Sequence, residues 1–374
     1  APERQRRRAF ARRHRIGKKT RISPAILAKG LTRMEYVVFG NTGLKVSRFC
    51  LGAMNFPLEC DFETTVATFQ DAFDAGINFI DNADAYGRGH SEEVMGRALK
   101  ETSLARENVV IATKCWVKMF EREGGGGGEG GGCSRRHIIQ ACENSLRRLQ
   151  TDYIDIYQLH HPDPITPVEE TLEALDTLIK QGKILYAGVA NHYAWQMAEM
   201  LGKAALHNWQ PIISSQVSYS ILDRVIENET IPFCRKFNVA IMGYGPLKGG
   251  ILTGKYKRGE APPEGSRFSN PRAAKHFLSD ETFDLVEELE DIATRNGMLI
   301  QQLAMKWVLK NPAITTPILG GSKREHFQPM YGVFDMVVDP SDMERIDEMS
   351  QKHRYQPFAN QAQVDGYPNA PGYW

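Results

Sequence analysis

Residues 153–190, YIDIYQLHHPDPITPVEETLEALDTLIKQGKILYAGVA, decide the fold class of this chain. Two short apolar runs, Tyr153–His160 and Ile184–Ala190, flank an amphipathic stretch, Pro167–Gln181, whose apolar residues recur at helical spacing. Such a unit reads as two parallel strands joined by a crossover helix, since parallel neighbours need a long return connection.

Outward from this unit the same alternation runs from Arg48 to Leu319. Further strands are predicted at Phe49–Met54, Ile77–Asp81, Val109–Lys114, Ile212–Val217, Val239–Tyr244 and Thr315–Leu319, eight in all. Helical segments fall at Glu63–Ala75, Ser91–Leu99 and Arg135–Leu149, and Gly76 stands where a helix should stop before the next strand. No G-x-G-x-x-G turn follows the first strand, so an open doubly wound sheet is disfavoured. The expectation is an α/β fold, a (β/α)8 TIM barrel in one domain over residues 34–352. A basic extension (1–33) precedes it and an aromatic, proline-rich tail (353–374) follows it.

A 42% hydrophobic, 24% charged composition suits a globular chain with a large core and excludes a disordered one. No apolar run approaches the roughly 18 residues of a membrane span, so a soluble protein is expected. The net charge of +1 conceals an asymmetry: residues 1–33 carry twelve Lys/Arg against Glu3, a balance of +11, which leaves −10 for the rest. The arm lacks both an apolar core for secretion and aromatic interleaving for base stacking, and it reads as a disordered leader. Nucleic-acid or anionic-membrane binding and organelle import are its alternatives, with the cytoplasm the expected location. Six scattered cysteines form no zinc-type cluster and read as reduced thiols. No metal is expected either, because His90, His137, His160 and His161 are not grouped with carboxylates at ligand spacing. Two stretches break the rhythm: Gly124–Gly132 reads as a solvated linker, and Leu247–Asp280 as a candidate lid.

In a barrel of this kind the site is built at the carboxyl ends of the strands. Asp81 ends the second predicted strand, Tyr86 follows it in the loop, Lys114 ends the third and His160 the fourth. Any one of them has a structural explanation; their joint placement on neighbouring strands of one rim is harder to dismiss. Strand alternation sends His160 and His161 to opposite faces, so only one of the two should reach the pocket.

These residues lie in stretches, Asp81-Asn-Ala-Asp-Ala-Tyr86-Gly, Ala112-Thr-Lys114 and Asp155-Ile-Tyr-Gln-Leu-His160, that resemble the signatures of the aldo-keto reductase family. Gly188-Val-Ala-Asn191, Ser215-Gln216-Val, Gly243-Tyr-Gly-Pro-Leu247, Leu252-Thr-Gly-Lys255-Tyr and Leu319-Gly-Gly-Ser322-Lys323 follow in family order. The resemblance covers residues 34 to about 350, and the subgroup it points to contains bacterial reductases and potassium-channel beta subunits. It implies an NADP(H)-dependent oxidoreductase that reduces a small aldehyde or ketone to the alcohol. Tyr86 would be the general acid, its pKa lowered by the Lys114 cation, with Asp81 holding the ammonium and His160, selected over His161, orienting the carbonyl.

The resemblance also implies cofactor roles: Asn191 and Gln216 for the nicotinamide carboxamide, Tyr244 for its ring, and Leu247, Lys255 and Arg267 for the pyrophosphate loop. Ser322 and Lys323, with Arg324 nearby, would take the 2′-phosphate and favour NADPH over NADH. A cofactor-binding regulatory subunit of the channel-beta kind is the alternative, and a homo-oligomer is left open. The sequence departs from the family pattern at Ala190, where a serine is usual, at His326 and Met330 in the expected adenine contacts, and in the glycine run after Lys114.

Overall fold

The computed structural model describes residues 34–56, 60–102, 104–119, 131–270, 274 and 277–354. The basic extension, most of the glycine run and nearly all of the aromatic tail lie outside these residues.

Eight strands close a parallel barrel: β3 (Cys50–Gly52), β4 (Phe79–Asp81), β5 (Val110–Cys115), β6 (Ile154–Leu159), β7 (Ile184–Ala190), β8 (Ile212–Ser218), β9 (Ala240–Tyr244) and β10 (Ile314–Leu319), which returns to β3. Each is one of the eight strands expected from the sequence, with ends shifted by at most three residues. Burial on both faces explains why they read as continuous apolar runs.

Helices α1 (Phe62–Asp74), α2 (His90–Glu101), α3 (Arg135–Leu149), α4 (Val168–Lys180) and α5 (Ala194–His207) follow the first five barrel strands. After β8 to β10 come α6 (Thr230–Phe237), the pair α7 (Asp280–Arg295) and α8 (Ile300–Lys310), then α9 (Arg324–Phe327) and α10 (Pro340–Met349). Local chemistry sets their ends. Asp61 accepts the Thr64 amide at 2.6 Å to cap α1. Gly76, with φ +91°, ends it as expected. Ser134 caps α3 through the His137 amide.

One element was not anticipated. Strands β1 (Tyr36–Val38) and β2 (Lys45–Ser47) form an antiparallel hairpin before the barrel. Its Phe39 and Val46 are fully buried in a second cluster with Phe79, Val110, Ile156, Ile213 and Ala240 from the barrel strands, so the hairpin plugs the amino-terminal end. Three-residue strands carry too little alternation to be read from sequence. The large core packs the barrel's outer surface against the helices. Among the described residues no helix is long and apolar enough to cross a membrane. All six cysteines are free thiols, five of them buried.

Between Leu247 and Asp280 the chain makes a 3-10 segment at Lys248–Thr253 and then runs through turns over residues 254–270. Phe268 and Tyr256, both buried, fasten this stretch edge-on to each other, with ring centroids 5.4 Å apart. Both side chains belong to the main hydrophobic cluster, which ties the middle of the stretch to the body.

Candidate active site

The four residues singled out at the strand ends meet at the carboxyl mouth of the barrel. Lys114, fully buried on β5, directs its ammonium to three oxygens: Asp81 Oδ2 at 2.7 Å, the Asn82 carbonyl at 2.7 Å and Tyr86 Oη at 3.2 Å. Three donors meet three acceptors, so the buried cation is fully satisfied. Burial works to strip its proton, but Asp81 and Tyr86 outweigh burial and hold Lys114 above the usual lysine value.

Tyr86 behaves differently from the sequence expectation. Its pKa was expected to fall beside the cation; instead burial pushes the phenol above its ordinary value, and the opposing pull of Lys114 only limits the rise. Asp81, paired with Lys114, also offsets part of the cation's field. Because Lys114 donates into the phenol oxygen, the Tyr86 O–H proton is left to point at another acceptor.

His160 lies with its ring edge-on to Tyr86, centroids 5.9 Å apart. Burial first, then Lys114 and His161, pull its pKa down to about 3, so the ring is neutral near pH 7. Its Nδ1 is buried with no hydrogen-bond partner among the described residues. The alternation argument for His161 fails, because β6 ends at Leu159 and both histidines lie beyond it. The two rings stack at 4.9 Å and 8°, and Trp116 packs edge-on against His161. Only His160 is in ring contact with Tyr86.

Around this centre, Asn191, at φ +60°, donates from Nδ2 to the His160 carbonyl at 3.0 Å and accepts the Tyr244 hydroxyl at 3.0 Å. Gln216 Nε2 donates to Asp81 Oδ1 at 2.8 Å. The structure therefore brings seven of the sequence candidates into one connected network on six strands and their following loops. Leu247, Lys255 and Arg267 gather a little further along. Gly249 and Gly250 both have positive φ, and a Cβ on them would sit 3.0 Å from Arg267 Cδ and 2.7 Å from Lys255 Cε. A bare stretch of backbone thus runs between two exposed cations, a cradle suited to a pyrophosphate.

Ser322 and Lys323 follow β10 in the last strand–helix loop, where the Ser322 amide donates to His326 Nδ1 at 3.1 Å. Arg324, beside them, pairs with Asp71 on α1 through two hydrogen bonds of 2.8 Å.

Three features escaped the sequence reading. Gln158, fully buried on β6, donates to Asp81 Oδ1 at 3.2 Å. Its signal was a polar residue two places before His160, on the same inward register. Glu92, fully buried on α2, is held by Thr113 at 2.6 Å and Arg148 at 2.7 Å, bracing α2 and α3 behind the site. Asp84, between Asp81 and Tyr86, is buried beside Glu92, and its carboxyl is pushed well above the usual range.

Comparison with known proteins accords with this geometry. Residues 48–351 match the aldo/keto reductase family. The chain belongs to that family. As an aldo/keto reductase it is an oxidoreductase by family, and members generally use NAD(P)H. It is 33% identical over 321 residues to the uncharacterized oxidoreductase YrpG of Bacillus subtilis, covering 84% of this chain and 96% of that one. Identity is also 33% over 325 residues to a probable voltage-gated potassium channel subunit beta of Oryza sativa subsp. japonica (85% and 97%). A further 33% relates it over 324 residues to the aldo-keto reductase YhdN of Bacillus subtilis (84% and 92%).

Proposed function

We propose that this aldo/keto reductase is an NADP(H)-dependent carbonyl reductase in which Tyr86 is the general acid. The observation that carries the reading is the Lys114 ammonium, buried, paired with Asp81 and donating to Tyr86 Oη. Reduction of an aldehyde or ketone turns its oxygen into an alkoxide, which needs a proton from a positioned donor. Tyr86 has the proton to give, since its phenol is pushed above its ordinary pKa and its O–H is not used by Lys114. The tyrosinate left behind faces an ammonium that stabilises it, and solvent returns the proton. Neutral His160, beside the phenol, would hold the substrate oxygen.

The cofactor supplies the hydride. Asn191, Gln216 and Tyr244 would hold its nicotinamide end, and Leu247, Lys255 and Arg267 its pyrophosphate. Ser322 and Lys323 would take the 2′-phosphate, a charge-assisted contact that favours NADPH over NADH. The glycine cradle between Lys255 and Arg267 supports this fit. Free thiols at all six cysteines suit a reducing compartment such as the cytoplasm.

The channel-subunit names among the relatives favour a second reading, an NADP(H)-binding regulatory subunit with slow or no turnover. A scaffold or sensor has no need of a proton donor poised over a buried ammonium, so the enzyme reading is preferred. Tyr86→Phe removes only the transferable proton. It is expected to keep NADPH affinity within about twofold and to lose about 10²- to 10⁴-fold in carbonyl reduction. Undiminished reduction by Tyr86→Phe would remove the acid assignment.

A further inference from the structure

Asp81, which holds Lys114, is itself held. Its two carboxylate oxygens are divided between different tasks: Oδ2 receives Lys114 Nζ at 2.7 Å, whereas Oδ1 receives Gln158 Nε2 at 3.2 Å and Gln216 Nε2 at 2.8 Å. Gln216 also reaches Gln158 Oε1 at 3.5 Å, so the two amides brace each other. All four side chains are at most 3% exposed. A carboxylate can only accept, and this fixes both amides with their nitrogens toward Asp81.

The strand register explains why the residue is at 158. Lys114 on β5 pairs with Gln158 on β6, and Gln158 pairs with Gly188 on β7. A Cβ at position 188 would lie 3.2 Å from Gln158 Cγ and would collide with Ser214 Oγ. The glycine thus leaves the space beside the Gln158 side chain, which reaches past β5 to Asp81. Without Gln158, Asp81 Oδ1 would keep one donor in a site closed to water, and the carboxylate could turn about its χ2 axis, taking Lys114 with it.

We infer that Gln158 is a positioning residue for the reaction: it locks the rotation of the Asp81 carboxylate, and through it holds the Lys114 ammonium at hydrogen-bonding distance from Tyr86 Oη. The inference rests on the reductase reading for its kinetic consequence, though not for its structural one. Gln158 itself is fully buried and its hydrogen bonds run to Asp81 and Gln216, so its effect passes through the ion pair.

The test uses the full-length protein and two substitutions of nearly equal volume. Gln158→Met removes the donor. Gln158→Glu restores one while its carboxyl is protonated, the state that sharing a proton with Asp81 favours. Compared with wild type, a crystal structure of Gln158→Met should show the Asp81 carboxylate turned and Lys114 Nζ more than 3.5 Å from Tyr86 Oη. In NADPH-dependent reduction of a fixed aldehyde, such as 4-nitrobenzaldehyde, Gln158→Met should lower kcat about 3- to 30-fold, with KM and the NADPH Kd within twofold. Gln158→Glu should recover most of kcat at pH 6 and lose it as pH rises through the second ionisation of the pair. A merely structural role would lower stability in both variants and produce no such pH-dependent rescue. An ion pair that has not moved in Gln158→Met overturns the inference, and so does a moved pair with unchanged kcat. If the wild type reduces no aldehyde, the reductase reading falls by itself, and the crystal structures still decide whether Gln158 positions Lys114. Should Gln158→Met not fold, Gln158→Glu carries the test alone, and a flat pH dependence for it counts against the inference.

Discussion

His160 shows how a single side chain links the site to stability. Burial first, and then the positive charge of Lys114, pull its pKa down to about 3, well below the ordinary imidazole. The unfolded chain takes up its proton first, from about pH 6.5 downward, so this contribution is full above about pH 6.5 and is lost as pH falls toward 3. His192, fully buried and pulled down to about 4, acts in the same direction. His160→Asn should therefore lose less stability than wild type between pH 7 and pH 5 in urea unfolding. Equal pH slopes for the two proteins would contradict the buried neutral imidazole. At this scale the sequence was legible where a residue type is rare at a strand end: Asp81, Tyr86, Lys114 and His160 all lie where expected. It was not legible where neighbours set the outcome. The position of His161 depended on where β6 ends, and the direction of the Tyr86 shift depended on burial of the phenol, with Asp81 on the neighbouring strand offsetting the cation.

The β1–β2 hairpin is an element whose weight exceeds its length. Phe39 meets Phe79 edge-on at 5.5 Å and 83°, and Val46 packs beside it, closing the end of the barrel opposite the site. Phe39→Ala should cost about 3–5 kcal/mol, the range for truncating a buried aromatic, while leaving the NADPH Kd unchanged because the plug is remote from the mouth. Denaturant titration and NADPH fluorescence check the two halves of that statement; a loss below about 1 kcal/mol would mean the plug is peripheral. The eight barrel strands were readable because burial on both faces makes them predominantly apolar runs, as in Ala240–Tyr244. The hairpin was not, since its alternating pattern spans only three residues on each side. Gln158 was hidden by the same logic in reverse: within an apolar run, one amide looks like noise until the barrel closes and puts it next to Asp81.

Across the whole molecule, charge is spread in a way the net value conceals. The chain beyond residue 33 is acidic, yet the cofactor candidates Lys255, Arg267 and Lys323 are exposed cations on the loops after β9 and β10. Local potential rather than net charge then governs the binding of an anionic dinucleotide. Lys323→Ala is expected to weaken NADPH roughly tenfold and NADH within twofold, because only the former carries a phosphate for that cation. Equal losses for both cofactors, read by fluorescence titration, would place Lys323 elsewhere than at the 2′-phosphate. Arg324 should leave both affinities nearly unchanged when replaced, since Asp71 already occupies it. The central claim is that the Asp81–Lys114–Tyr86 network makes this aldo/keto reductase a carbonyl-reducing enzyme. The most direct measurement is NADPH oxidation at 340 nm by the full-length protein against a panel of aldehydes and ketones, with NADH in parallel. The account predicts turnover that prefers NADPH, whereas tight NADPH binding with no turnover on any carbonyl would contradict it and bring the regulatory-subunit reading forward.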